Sequence, residues 1–431
     1  MKKNILSALF LTAMSLTAVA QSGTNSPYSQ YGLGVLADQT SGFNRGMNGV
    51  GLGFREHNQV NFINPASYSA MDSLTFIFDA GVSGQVTNFK ENNKKLNANN
   101  ADFEYAVAGF RAFKHVGMSF GILPFTNIGY NYSSSQNLSG ISSTYYTNTY
   151  SGSGGLHQIY LGVGWEPLKG LSVGVNGAYL WGDIDRSVSS SYSDAYVNTL
   201  SKSYEADVRS YNLMFGAQYQ LKVGKKESFT LGATYTLGHK LGTDPKCIVQ
   251  SYNNQTSVSF ADTMTVKNGL EIPTMFGAGL AWNHDNRIRV GVDYTLQKWA
   301  SVQYPQYKVV DNAHTYQLQS NLFSDRHKVN LGVDYCDNER SRHFLGRIHY
   351  RAGASYATSY QKINGVNGPK EISVSAGFGI PIMNGWNNRS ILNISGQWVH
   401  QGAKNLITEN TFRINIGLTF NERWFMKWKV E

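Results

Sequence analysis

Beyond residue 20 the chain has no run of about 18 apolar residues, so the sequence holds no helix fit to span a bilayer. Charge is scarce as well. Asp, Glu, Lys and Arg make up 15%, where about 25% is usual for a soluble globular domain. The two cysteines, Cys247 and Cys336, are too few for a disulfide-built scaffold. Ten histidines show no ligand spacing, so no metal centre and no cofactor are expected. The formal charge of +9 includes Lys2 and Lys3, and the remaining basic residues form no patch that would suit nucleic acid. Only nine prolines interrupt 431 residues, which leaves room for long regular segments.

What is abundant is glycine (44), tyrosine (26) and alternation. Phe412, Ile414, Ile416, Leu418 and Phe420 are interleaved with Arg413, Asn415, Gly417, Thr419 and Asn421. A period of two places the first set on one face of a strand and the second on the other. Phe229, Leu231, Ala233, Tyr235 and Leu237 repeat the pattern, as do Val329, Leu331, Val333 and Tyr335, and Ile372, Val374, Ala376, Phe378 and Ile380. About fourteen such runs, near 74–90, 103–114, 116–132, 156–166, 171–186, 203–222, 228–240, 271–283, 287–303, 326–336, 344–358, 371–383, 389–400 and 411–424, predict an all-β fold: a 14-stranded antiparallel transmembrane barrel with lipid outside and a polar interior. A mean hydropathy of -0.32 fits strands that turn half their side chains inward.

Residues 1–20 read as a signal peptide, with Lys2 and Lys3, an apolar stretch from Ile5 to Leu16, and Ala18-Val19-Ala20 at the cleavage site. Residues 21–72 are rich in Gly, Asn and Ser and lack alternation, and are expected to form a plug in the lumen. Asn64-Pro65-Ala66 ends that segment, with Asn64 as a helix cap and Pro65 at the first helical position. Residues 73–431 are the expected barrel. Short turns at 114–115, 166–170, 223–227, 284–286, 337–342 and 383–387 alternate with long polar stretches at 91–101, 133–155, 187–202 and 241–270. Bacterial barrels keep short turns in the periplasm and long loops outside, so the bacterial outer membrane is the expected location. Cys247 then falls outside and Cys336 on the periplasmic side, too far apart to bond.

The order of these features resembles the FadL-type outer-membrane transporters of long-chain fatty acids and other hydrophobic compounds. Asn64-Pro65-Ala66 looks like the family's plug signature. Leu270–Thr274 before Gly277–Leu280, Asp293-Tyr294 followed by Trp299, Lys328–Tyr335 and Arg351-Ala352-Gly353 continue the likeness. The resemblance implies a monomeric barrel for passive uptake of small hydrophobic molecules such as long-chain fatty acids, with a lumenal hatch and a sideways exit at a kink in the third strand. Here Leu123-Pro124-Phe125 interrupts that strand, and proline cannot complete a ladder. The plug departs from the family in carrying Arg45, Arg55, Glu56 and His57, and residues 421–429 run past the usual end. The alternative is a barrel subunit of a protein secretion or assembly complex, with a protein partner.

No enzyme is expected. Gly117-Met118-Ser119-Phe120-Gly121 and Gly170-Leu171-Ser172-Val173-Gly174 match a nucleophile motif, yet both lie at strand starts with no helix after them. Asp183 and Asp185 have oxygen ligands suited to Ca²⁺, but a solvated strand end is the simpler account. Arg347, Arg351 and Arg413 are candidates to hold a substrate headgroup. Trp165, Trp181, Trp282, Trp299, Trp398, Trp424 and Trp428 fall near strand ends, as interfacial girdles require.

Overall fold

A computed structural model describes residues 23–92, 94–138, 144–253, 255–256, 259–311, 313–339, 341–384 and 387–422. The expected signal peptide, Trp424, Trp428 and the rest of residues 423–431 lie outside the described residues, while Asn421 and Glu422 end the last strand.

Fourteen wall strands close into an antiparallel barrel. They are β1 (Phe76–Glu91), β2 (Lys94–Phe113), β3 in two segments (Val116–Pro124 and Thr126–Asn137), β4 (Tyr145–Leu168), β5 (Leu171–Tyr192), β6 (Thr199–Val223) and β7 (Glu227–Thr236). β8 (Met275–His284), β9 (Ile288–Gln297), β10 (Arg326–Tyr335), β11 (His349–Ala357), β12 (Lys370–Asn384), β13 (Asn387–Gly402) and β14 (Thr408–Glu422) complete the wall. Each strand pairs with the next, and β14 returns to β1, with Phe420 opposite Phe78 and Ile416 opposite Val82. Closure leaves no strand edge to face lipid over most of the circumference.

The period-two pattern sets which way each side chain points. Ile416 is 45% exposed on the outer face while Asn415, one residue away, is 3% exposed in the lumen. Leu231, Leu331, Val374 and Phe378 share the outer face.

Several boundaries differ from the sequence-based expectation. The stretches 133–155 and 187–202 are largely strand, because β3 to β6 continue beyond the apolar band as paired ribbons. Residues 241–270 contain a hairpin, Lys246–Tyr252 with Ser259–Thr265, that pairs onto the outer end of β6. Away from lipid both faces are wet, so side-chain alternation fades while backbone pairing continues. The strand expected at 344–358 begins at His349, and Phe344–Arg347 is a helical turn on the periplasmic side. The strand expected over 287–303 stops at Gln297. Trp299 is not part of a girdle. It is fully buried inside the outer end of the barrel, stacked on Tyr360 with ring centres 4.3 Å apart.

The two cysteines are free, one in the outer hairpin and one after β10. Burial pushes the Cys247 thiol up to about 11, so it is protonated and unreactive at neutral pH.

Candidate functional site

The segment before β1 packs against inward side chains around much of the lumen. Asn64 caps a 3-10 helix, Pro65–Ala70, its side chain accepting from the Ala66 N–H at 3.1 Å. Its amide nitrogen donates to the Leu52 carbonyl at 3.0 Å and to the Ala217 carbonyl of β6 at 3.2 Å. Glycine on the wall permits such approach. A Cβ at Gly232 would sit 2.0 Å from the Leu52 carbonyl oxygen, a position no other residue could share.

The charges that set this segment apart in sequence have partners on the wall. Arg45 bonds Glu104 at 2.7 Å, with both side chains about 5% exposed. Arg55 reaches Glu166 at 3.4 Å and Ser172 at 2.5 Å. Glu56 accepts from Arg289 at 2.5 Å, and Asp38 lies 3.2 Å from Arg413 and 3.5 Å from Lys328. Pairing is what makes ionised groups tolerable out of water. His57 is held within the segment by Asp72 at 3.0 Å, and that hydrogen bond raises its pKa.

The headgroup candidates are not brought together. Arg351 donates to Asp334 at 3.0 Å and to Asn393 at 2.5 Å, and Asp334 also binds Arg289 and His349. Arg413 is committed to Asp38 and Gln85. Arg347 ends the periplasmic turn, its guanidinium donating to the Ser341 carbonyl at 3.1 Å. Among the described residues neither motif serine has a histidine partner. Ser119 donates to the Ala108 carbonyl and meets the Tyr160 hydroxyl, while Ser172 meets Ser69 and Arg55.

Pro124 lies at a break in the wall. The ladder between β2 and β3 runs only from Phe113/Val116 to Ala106/Ile122. Past the break Thr126–Asn137 pairs with β4 but not with β2. Gly154 (φ +106°) and Gly155 (φ +138°) bend β4 at this level, a left-handed backbone that favours glycine. Two residues of the N-terminal segment take the place β2 leaves: Val35 pairs with Asn127 and Leu36 with Thr126, and the Ala37 N–H donates to the Phe125 carbonyl at 3.1 Å. Sequence reasoning missed this short strand, since two residues carry no periodicity.

Beside the break lies a cavity of about 210 Å³ between segment and wall. Leu36, Leu52, Phe62, Leu123, Phe125 and Met275 give it an apolar body, while Asp38, Asp293, Arg326, Lys328 and Asn330 give it polar walls. Elsewhere the segment is tied to the outer part of the chain: Gln361 donates to the Tyr28 carbonyl at 3.0 Å and Arg186 to the Gly32 carbonyl at 2.7 Å, while Trp299 stacks on Tyr360.

A family model described as BamG matches residues 1–431. No curated protein matches by sequence. Among solved structures, a FadL homologue from Pseudomonas aeruginosa superposes with a TM-score of 0.63 at 12% identity, covering 88% of this chain and 98% of that one. The toluene transporter TodX of Pseudomonas putida gives 0.59 at 14% identity over 92% and 100%. The CymD monoaromatic hydrocarbon channel gives 0.58 at 15% identity over 88% and 97%. At such identities the likeness is one of fold. It is the FadL-type barrel, a fold that fits the bacterial outer membrane.

Proposed function

The chain belongs to the BamG family, and from its FadL-type fold we propose that it is an outer-membrane channel for small hydrophobic molecules. The observation that carries this reading is the cavity next to the third-strand break. An apolar solute gains about 0.8 kcal/mol for each methylene withdrawn from water. The cavity offers such a refuge between the outside and the bilayer. Solved structures with this fold include a monoaromatic hydrocarbon channel and a toluene transporter. The volume agrees with that scale, because a cavity of about 150 Å³ accommodates benzene; a long-chain fatty acid would need the segment to move. Residues 23–72 act as the hatch. The solute leaves sideways where Val35 and Leu36 bridge the break, with no energy source or cofactor.

The test bridges the gap. Asn127 and Asp102 approach across it, side chain to side chain, at 3.5 Å. Asp102→Cys and Asn127→Cys, joined by a short bis-maleimide in cells, should stop uptake of labelled toluene, while the unjoined pair transports. Unchanged transport after verified bridging refutes the lateral route.

A second reading is a barrel subunit of a protein secretion or assembly complex. It is favoured by the outer hairpin, whose strand Ser259–Thr265 has one edge paired and the other free among the described residues, with Phe260 63% exposed. A free edge is a template for another chain. A parent that transports no hydrophobic probe but retains a stoichiometric partner from native membranes would put this reading first.

A further inference from the structure

The periplasmic rim is chemically lopsided. Three consecutive turns, β2–β3, β4–β5 and β6–β7, each set an exposed apolar residue beside lysine: Phe113-Lys114, Leu168-Lys169, and Lys222-Val223 with Lys225 after it. Phe113 is 74% exposed and Leu168 66%. Exposed Trp165, Tyr219 and Leu221 carry the same apolar face from these turns into the wall. Lys114, Lys169, Lys222 and Lys225 are exposed, and among the described residues none of the four has an ion pair or a side-chain hydrogen bond. The two glutamates of these turns are engaged elsewhere. Glu166 accepts from the Gly170 N–H at 2.8 Å and reaches Arg55 of the N-terminal segment at 3.4 Å and His115 at 3.8 Å. Glu227 accepts from the Trp282 indole at 2.7 Å and lies 2.5 Å from His284 Nδ1.

The rim changes character further round. Lys226 is 3.3 Å from Asp285, Arg287 is paired with Asp337, and Arg347 donates to the Ser341 carbonyl. Among the described residues of the β8–β9 and β10–β11 turns, Arg342 is the one cation with neither an ion pair nor a hydrogen bond. The unpaired positive charge therefore gathers on one arc, where neighbouring turns stand about 10 Å apart, two strand spacings. Lysine stems lie along apolar surface while the ammonium reaches the polar side. A dissolved anion would answer the charge of this arc and leave its apolar residues bare. A lipid with a negatively charged headgroup answers both.

We propose that the periplasmic rim from β2 to β7 is a docking surface for anionic phospholipid of the inner leaflet. The headgroup phosphates sit at Lys114, Lys169, Lys222 and Lys225, and the acyl chains run along Phe113, Trp165, Leu168 and Tyr219. The proposal goes beyond the channel reading and does not depend on it.

Trp165 is the reporter. The purified full chain is placed in phosphatidylcholine vesicles with a minor share of phosphatidylglycerol. Either that share or an equal share of the phosphatidylcholine carries brominated acyl chains, which quench tryptophan on contact. The Trp165 signal is the difference between the parent and Trp165→Phe. Phosphatidylglycerol should occupy the site about fivefold more often than its share of the bilayer, the factor for one lysine beside an anionic headgroup. Salt at about 1 M, where the Debye length is about 3 Å, should bring that ratio close to one. The quadruple variant Lys114→Gln, Lys169→Gln, Lys222→Gln and Lys225→Gln should do the same, with heat-modifiable gel mobility reporting an intact barrel. Should it fail to assemble, Lys114→Gln with Lys169→Gln should lower the ratio at least twofold. A second reporter, Tyr335→Trp at the end of β10 in the Trp165→Phe background, should show at most half the parent preference. Quenching at Trp165 in proportion to bilayer composition overturns the proposal. So does a preference that survives loss of the lysines, or one that is equal at the two reporters.

Discussion

Removing the charge of Glu104 alone should unlatch the N-terminal segment. In Glu104→Gln the Arg45 guanidinium stays buried without its counter-ion, and breaking such a pair from one side costs about 3–5 kcal/mol. The lower end applies here. Arg45 also donates to Asn415 at 3.0 Å, to the Asp38 carbonyl at 2.9 Å and to the Thr40 carbonyl at 3.2 Å, and these bonds remain. At about 1.4 kcal/mol per tenfold, the population with the segment displaced should rise roughly 100-fold. Chymotrypsin reads that population. Phe43 and Phe54 are 0% and 3% exposed in the closed state, and cleavage tracks opening when reclosing is fast. Cutting between residues 43 and 54 should accelerate by that factor while heat-modifiable gel mobility reports an intact barrel. The double variant Arg45→Met with Glu104→Leu should return close to the parent rate, because an apolar pair of similar volume often replaces a buried ion pair without loss. If Glu104→Gln is cut at the parent rate, or the double variant as fast as Glu104→Gln, the ion pair does not latch the segment.

Two further outcomes follow from the wall and the periplasmic mouth. Ile416→Arg puts a guanidinium on the lipid face and should cost about 2–4 kcal/mol near mid-membrane, whereas Asn415→Arg, turned into the lumen, should be milder; equal loss of heat-modifiable barrel in the two would contradict the register. His57, half exposed beside Asp72, has a raised pKa in the folded protein. Its contribution is therefore full below the unfolded value of 6.5 and lost as pH rises through the folded value. Solvent screening keeps the effect small. Hydrogen-exchange protection factors over residues 57–72, corrected for the intrinsic rate at each pH, should fall with rising pH in the parent and lose that slope in His57→Gln.

The barrel was legible in the sequence because lipid enforces it locally. A strand in hydrocarbon must show apolar residues every second position and complete its hydrogen bonds with neighbours, so the fourteen runs, their faces and the Ile416/Asn415 alternation could be read residue by residue. Asn64-Pro65 was legible for the same reason, since capping is a matter of three adjacent residues. Outside the membrane that constraint lapses. The polar ribbons of β4 and β5 above the wall carried no alternation, and only pairing partners far along the chain made them strands. The candidate site belongs to the tertiary structure in the same way. Arg45, Arg55 and Glu56 were visible as unusual charges, but Glu104, Glu166 and Arg289 became their partners only when the chain was threaded through its own barrel, and Asp38, which no sequence pattern singled out, met Lys328 and Arg413 in the same way. Pro124 signalled a break. That Val35 and Leu36 fill it, and that Trp299 is buried against Tyr360 rather than ringing the barrel, depend on contacts between residues up to hundreds of positions apart, which no local period encodes.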